Sequence, residues 1–207
     1  MDKKFLVSSQ KKIRAFFAGE FEKYGYSYEA LNWESQISQY TRFDVLSNIG
    51  EFEGKKLLDV GCGLGDFLKY LKIKKEKPAY TGIDICDEMI AGAKERFKKS
   101  PDAKFMTGDI LEVKNTSKYD FVISSGAFNM NLGANDKMIR EVLKKMHDMA
   151  KTAAAVSMLS KYDSFTDDRY YYYDPCEIFD FCKGFCEKVV LRHDYMSHDF
   201  TVIMYKN

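Results

Sequence analysis

Proline is scarce, 3 in 207 residues, and there is one tryptophan. So few prolines leave helices and strands uninterrupted and exclude a stiff proline-rich linker. The five cysteines (Cys62, Cys86, Cys176, Cys182, Cys186) are odd in number and contain no CxxC pair, which argues against a disulfide framework or a zinc site. No metal is expected, and Cys182 and Cys186, four apart on a predicted helix, read as reduced thiols. The N-terminal MDKKFLVSSQKKIRAFF has no apolar run of leader or membrane-spanning length, so a cytoplasmic protein without a membrane partner is expected. Charge of one sign is also missing: 32 Lys and Arg face 31 Asp and Glu. That balance argues against a broad nucleic-acid footprint.

What is present is an ordinary apolar content of 45%, many aromatics (14 Tyr, 16 Phe) and a length suited to one domain. Residues 5–50 read as helical: Phe5, Leu6, Ile13, Phe16, Phe17, Phe21 and Tyr24 recur at helical spacing, then Ile37, Tyr40, Val45 and Ile49. From residue 51 short apolar runs alternate with amphipathic stretches. KKLLDV (55–60), AYTGID (79–84), AKFMTGD (103–109), YDFVISS (119–125) and TAAAVSML (152–159) predict strands. DFLKYLKI (66–73), DEMIAGAKERF (87–97), NDKMIREVLKKMHDMA (135–150) and DPCEIFDFCKGF (174–185) predict helices, the last with Asp174 as cap and Pro175 in its first turn. EKVVLRHDY (187–195) and DFTVIMYK (199–206) predict a closing antiparallel hairpin. This is a three-layer α/β domain with a mostly parallel sheet over 51–207, preceded by a helical lid over 1–50.

In such a sheet a ligand sits beyond the carboxyl ends of the strands. Three consecutive ends carry matching signals: DVGCGLG, with Asp59 before Gly61, Gly63 and Gly65; GID, with Asp84; and TGD, with Asp109. The glycine turn is GxGxG, not the GxGxxG of a dinucleotide site, and no GK[ST] follows it as in a phosphate loop. Asp59 would repel a pyrophosphate and complement an ammonium group. Asp84 can accept from a ribose diol and Asp109 from an adenine amino group. A nucleoside with an amino-acid-like cation and no phosphate is S-adenosylmethionine, which becomes S-adenosylhomocysteine on losing its methyl.

LLDVGCGLGDFLKYL, YTGIDICDEMIAGAKERF, AKFMTGDILE and KYDFVISSGAFN together resemble the successive motifs of the class I S-adenosylmethionine-dependent methyltransferases, over roughly residues 55–207. The resemblance implies a Rossmann-like fold with a seven-stranded sheet in the order 3-2-1-4-5-7-6 and its last strand antiparallel. It also implies backbone contacts from Gly61, Cys62 and Gly63 to the methionine part of the cofactor. Asp84 would hold the ribose, Ile85 and Met89 would flank the adenine, and Asp109 with Ile110 would read its edge. Upstream, NWESQISQYTRF (32–43) resembles a segment found in small-molecule members, so Arg42 would pair with the cofactor's carboxylate and Gln39 would bond nearby. Ser125, at the end of the fourth strand, completes the cofactor set.

Methyl transfer is an in-line displacement in which the protein aligns the acceptor and excludes water. Three segments are candidates for the acceptor side. SSGAFNMN (124–131) supplies Gly126 and Asn129 and lacks the [ND]PP[YF] of many amino-methylating enzymes. KYDSFTDDRYYYYDP (161–175) is long for a strand-to-helix connection, and Tyr171, Tyr172 and Tyr173 suit a substrate wall. The turn HDYMSH (193–198) offers His193 and His198 as general bases. A small-molecule acceptor is expected, on a monomer or homodimer. The alternatives are a macromolecular acceptor (tRNA or protein) contacted through KKIR and KIKKEK, and a cofactor-binding protein without turnover.

Overall fold

The period-2 and period-3.6 stretches become strands and helices in the computed structural model, which describes residues 3–114 and 118–206, with side chains from Gln10 onward. The side chains of Phe5 and Leu6 lie outside the described residues. α1 (Lys3–Tyr24) ends at Gly25 (φ +60°), and a 3-10 turn (Tyr28–Leu31) leads to α2 (Gln36–Ser47). Ser35 caps α2 by accepting from Ser38 N at 3.0 Å. Ile37, expected on the packing stripe of α2, is 81% exposed. The helix is rotated so that Gln39, Arg42, Phe43, Val45 and Leu46 face inward.

The α/β portion runs β1 (Lys56–Val60), α3 (Asp66–Ile73), β2 (Ala79–Asp84), α4 (Asp87–Arg96), β3 (Ala103–Thr107), β4 (Tyr119–Ser125), α5 (Asn135–Met149), β5 (Ala150–Leu159), α6 (Pro175–Lys183), β6 (Lys188–Met196), β7 (Asp199–Tyr205). The sheet order is β3-β2-β1-β4-β5-β7-β6, as expected. β1 to β5 are parallel, and β7 lies antiparallel between β5 and β6. Alternate residues of each strand supply opposite faces. Leu57, Phe121 and Ile123 pack with Phe43, Phe67, Leu71 and Ile90 of α2 to α4, and Leu58, Val60 and Val122 pack with Ile139, Leu143 and Ile178 of α5 and α6. Asp174 caps α6, accepting from Cys176 N and Glu177 N, with Pro175 in its first turn.

Most boundaries differ from the expected ones by a residue or two, and three of the differences bear on the strand ends. β3 stops at Thr107, so Gly108 and Asp109 lie past its end, where Gly108 N donates to Asp84 O at 2.9 Å. β5 begins at Ala150, because Tyr119 of β4 pairs with that residue. β6 continues to Met196 through an irregularity after Arg192, so His193 sits on a strand and only Ser197 and His198 form the turn. The chain reverses its direction of sheet growth between β1 and β4, which opens a crevice above Val60 and Ser125.

Candidate active site

A cavity of about 460 Å³ fills that crevice. Its floor is the turn after β1. Gly61, Gly63 and Gly65 all have positive φ (+71°, +50°, +75°), open to glycine with little strain. At Gly61 a Cβ would stand 2.1 Å from Ala127 Cβ, and at Gly63 one would stand 2.6 Å from Leu31 Cδ2. The turn must therefore be bare for the β4 loop and the 3-10 turn to close over it. Gly65 does not line the cavity; it begins α3, and a Cβ there would meet the rings of Phe97 and Phe105.

Four of the turn's amides are already engaged. Gly61 N and Cys62 N donate to Ile83 O (2.8 and 3.1 Å), Gly63 N donates to Asp84 Oδ2 (2.9 Å), and Gly65 N donates to Cys62 O (2.9 Å). A phosphate site needs free N–H donors. This floor offers buried carboxylates instead. Asp59 is 3% exposed and accepts from Tyr80 Oη at 2.6 Å. Burial pushes its carboxyl up to about 7 against the pull of that hydroxyl, with Asp84 and Asp66 adding repulsion. Asp84 accepts from Gly63 N and from Cys86 N (2.9 Å), and burial raises it despite those amides. Asp109 accepts from Leu111 N (2.9 Å) and Gln10 Nε2 (2.6 Å), and burial raises it too. Three partly compensated carboxylates in line at one floor suit a cationic ligand bearing hydroxyl and amino donors. Ile85, Met89 and Ile110 supply the apolar walls between them.

α2 closes the cavity beside Asp59. Arg42 is 3% exposed; its Nε donates to Asp199 Oδ2 at 2.8 Å, its Nη1 donates to Ser38 O and Oγ, and its Cζ lies 4.8 Å over the Trp33 ring. Arg42 lines the cavity, yet its charge is shared with Asp199 at the start of β7, so it is an oriented donor and not a free cation. Gln39 also lines the cavity, and its Nε2 has no partner among the described residues. The same holds for Ser125 Oγ.

Gly126, Asn129, Tyr172 and His198 line the far side. Asn129 Oδ1 accepts from Leu159 N (3.1 Å) and its carbonyl from Tyr171 N (2.7 Å), tying the ends of β4 and β5 to the tyrosine loop. The other sites expected on this side lie elsewhere. Tyr173 is buried and donates to Phe128 O at 2.7 Å, and Tyr171 donates to Asp136 at 2.6 Å. The segment is extended, so alternate rings, Tyr170 and Tyr172, reach the cavity while Tyr171 and Tyr173 point toward α5. His193 also misses the cavity: its Nε2 contacts Ser197 O at 3.0 Å and its ring packs near Tyr162.

Sequence reasoning missed Gln10, Ile13, Phe17, Leu31, Asn32, Trp33 and Leu159, all of which line the cavity. Most belong to the N-terminal helices, whose aromatic stripe signals burial but not what it is buried against. The single tryptophan was the one available pointer. No group of three or more His, Cys, Asp or Glu capable of holding a metal occurs among the described residues.

Comparison with known proteins gives the same picture. A family model described as a methyltransferase domain matches residues 57–153. A Mycobacterium tuberculosis protein named as a methyltransferase is 33% identical over 155 residues, which is 72% of this chain and 91% of that protein. The trans-aconitate 2-methyltransferase of Mycobacterium marinum is 30% identical over 105 residues, and the match spans 51% of this chain and only 38% of that enzyme. The magnesium protoporphyrin IX methyltransferase of Synechocystis, solved with bound S-adenosylhomocysteine, shares the fold at 13% identity (TM-score 0.68, 96% of this chain and 100% of that one).

Proposed function

The chain belongs to the class I S-adenosylmethionine-dependent methyltransferases, and from that footing we propose that its methyl acceptor is a small molecule, a carboxylic acid in the first instance. The observation that carries this reading is the cavity of about 460 Å³ over the glycine turn, toward the lower end of the roughly 300–1,000 Å³ usual for small-molecule sites. Donor and acceptor must share it under the N-terminal helices, which serve as the lid. S-adenosylmethionine, when bound, supplies an electrophilic methyl on a sulfonium. Asp59, Asp84 and Asp109 are the residues that would hold its ammonium, ribose and adenine, with Gln39 and Arg42 toward its carboxylate.

The protein's own work is alignment and exclusion of water. Trp33, Tyr170, Tyr172 and Phe128 form an aromatic wall for the acceptor, and Asn129 and His198 are its polar contacts. Two features favour an acid. The named substrate of the mycobacterial relative, trans-aconitate, is a carboxylate. A carboxylate oxygen also needs no base to deprotonate it, and the acceptor wall carries none except His198 and the exposed Glu34. A hydroxyl acceptor is the second reading, favoured by His198 on the cavity wall, where it would take the proton.

Release of S-adenosylhomocysteine with a panel of small di- and tricarboxylic acids and phenols tests both readings. Turnover on an acid that survives His198→Ala within about tenfold supports the first. Turnover on a phenol that falls by roughly 10²–10⁴ in the same variant replaces it with the second. Methylation of tRNA or protein alone would defeat both.

A further inference from the structure

One face of α1 runs over the adenosine end of the cavity. Gln10, Ile13 and Phe17 fall at i, i+3 and i+7, a single stripe of an α-helix, and all three line the cavity. The stripe continues into packing: Phe17 and Phe21 lie against buried Leu64, Cys86 and Met89, which sets the height of the helix above the floor. At the outer end the Gln10 carboxamide meets the Asp109 carboxylate, Nε2 donating to Oδ2 at 2.6 Å, while Oδ1 accepts from Leu111 N at 2.9 Å.

A carboxylate oxygen can accept two hydrogen bonds, so each oxygen of Asp109 keeps one position after these contacts. One N–H of the Gln10 amide is held by Asp109, which leaves the amide oxygen as a second acceptor next to it and one N–H as the remaining donor of the pair. An exocyclic amino group offers two N–H donors to such a pair. An oxo group offers none and would find one N–H, that of Gln10, among these acceptor positions.

We propose that Gln10 is a specificity-determining residue of the donor site, forming with Asp109 a paired acceptor that selects a 6-aminopurine nucleoside over its 6-oxo counterpart. The proposal rests on the reading of Asp109 as the residue at the adenine edge. It makes α1 a wall of the nucleoside site as well as a cover, and it explains why a polar residue stands at the outer end of an otherwise apolar stripe.

The test is equilibrium binding of S-adenosylhomocysteine and of S-inosylhomocysteine, its oxo analogue, to the full chain and to Gln10→Ala and Asp109→Asn. Alanine keeps helix propensity, so Gln10→Ala is expected to fold, with a melting temperature within a few degrees of the parent for the one hydrogen bond lost. Its preference for the amino compound should fall about three- to tenfold, the worth of one hydrogen bond. Asp109→Asn should lose more, because its amide can turn a donor toward the oxo group. An unchanged ratio in Gln10→Ala with a shifted ratio in Asp109→Asn overturns the role of Gln10 and leaves Asp109 at the adenine edge. Tighter binding of S-adenosylhomocysteine to Gln10→Ala also overturns it, since Gln10 would then be a competitor for Asp109. An unchanged ratio in both variants removes the proposal together with the reading of Asp109.

Discussion

Asp59 is the residue whose environment most directly sets what the floor can bind. It is buried with one protein hydrogen bond, from Tyr80, and its neighbours on β2 and α3 are the acids Asp84 and Asp66, the latter paired with Arg96 of α4. Arg42 of α2 lies on the same cavity. With the carboxyl raised to about 7, the charged form that complements a cation is lost as pH falls through that value. Affinity for S-adenosylhomocysteine, titrated between pH 5.5 and 8.5, is therefore expected to weaken toward acid, and Asp59→Asn to bind weakly with a flatter profile. Tyr80→Phe removes the contact that favours the charged form, so its profile should shift to higher pH; an unshifted profile would count against the link. Stability without ligand runs the other way. A carboxyl at about 7 in the folded chain and near 4 in the unfolded one binds more protons when folded, so its contribution declines as pH rises from about 4 to 7, by up to about 4 kcal/mol. Asp59→Asn should gain on the parent protein in melting temperature between pH 5 and pH 8.

At the scale of elements, the site depends on joining the N-terminal helices to the C-terminal hairpin. Arg42 of α2 and Asp199 of β7 make that join, with side chains 4% and 0% exposed, and Tyr195 of β6 donates to the second oxygen of Asp199 at 2.5 Å. Breaking one side of a buried pair leaves the other charge uncompensated, which costs about 3–5 kcal/mol. Arg42→Ala and Asp199→Ala should each lose stability of that order in chemical denaturation, and the double variant should lose less than the sum; additive losses would mean that the pair contributes no coupling. This join was not legible in the sequence, because the partners stand 157 positions apart and a lone arginine on a helix does not disclose its partner. The strands and the acids at their ends were legible, since each is written locally as an apolar run followed by glycine or aspartate. The tyrosine run was legible only in part. An extended chain sends alternate rings to opposite sides, but nothing in four consecutive tyrosines says which pair faces the cavity.

At the scale of the molecule, the sheet, the glycine turn and the N-terminal helices enclose one cavity in which a nucleoside cation and its acceptor must meet. The glycine turn and acids that line the cavity were legible in the α/β core; a helical lid was expected too, but the side chains it turns inward were not legible, because its sequence speaks only of burial. No described helix is long and apolar enough to cross a membrane, and the near-equal count of acids and bases gives no broad positive field for a nucleic acid. The central claim is thus one of size: the methyl acceptor is small enough to lie inside this cavity. Transfer of labelled methyl from S-adenosylmethionine into a cell extract, separated afterwards into metabolite, RNA and protein fractions, tests that claim most directly. Label is expected in the metabolite fraction, in the methyl ester of a carboxylic acid. Label confined to RNA or protein would contradict the account.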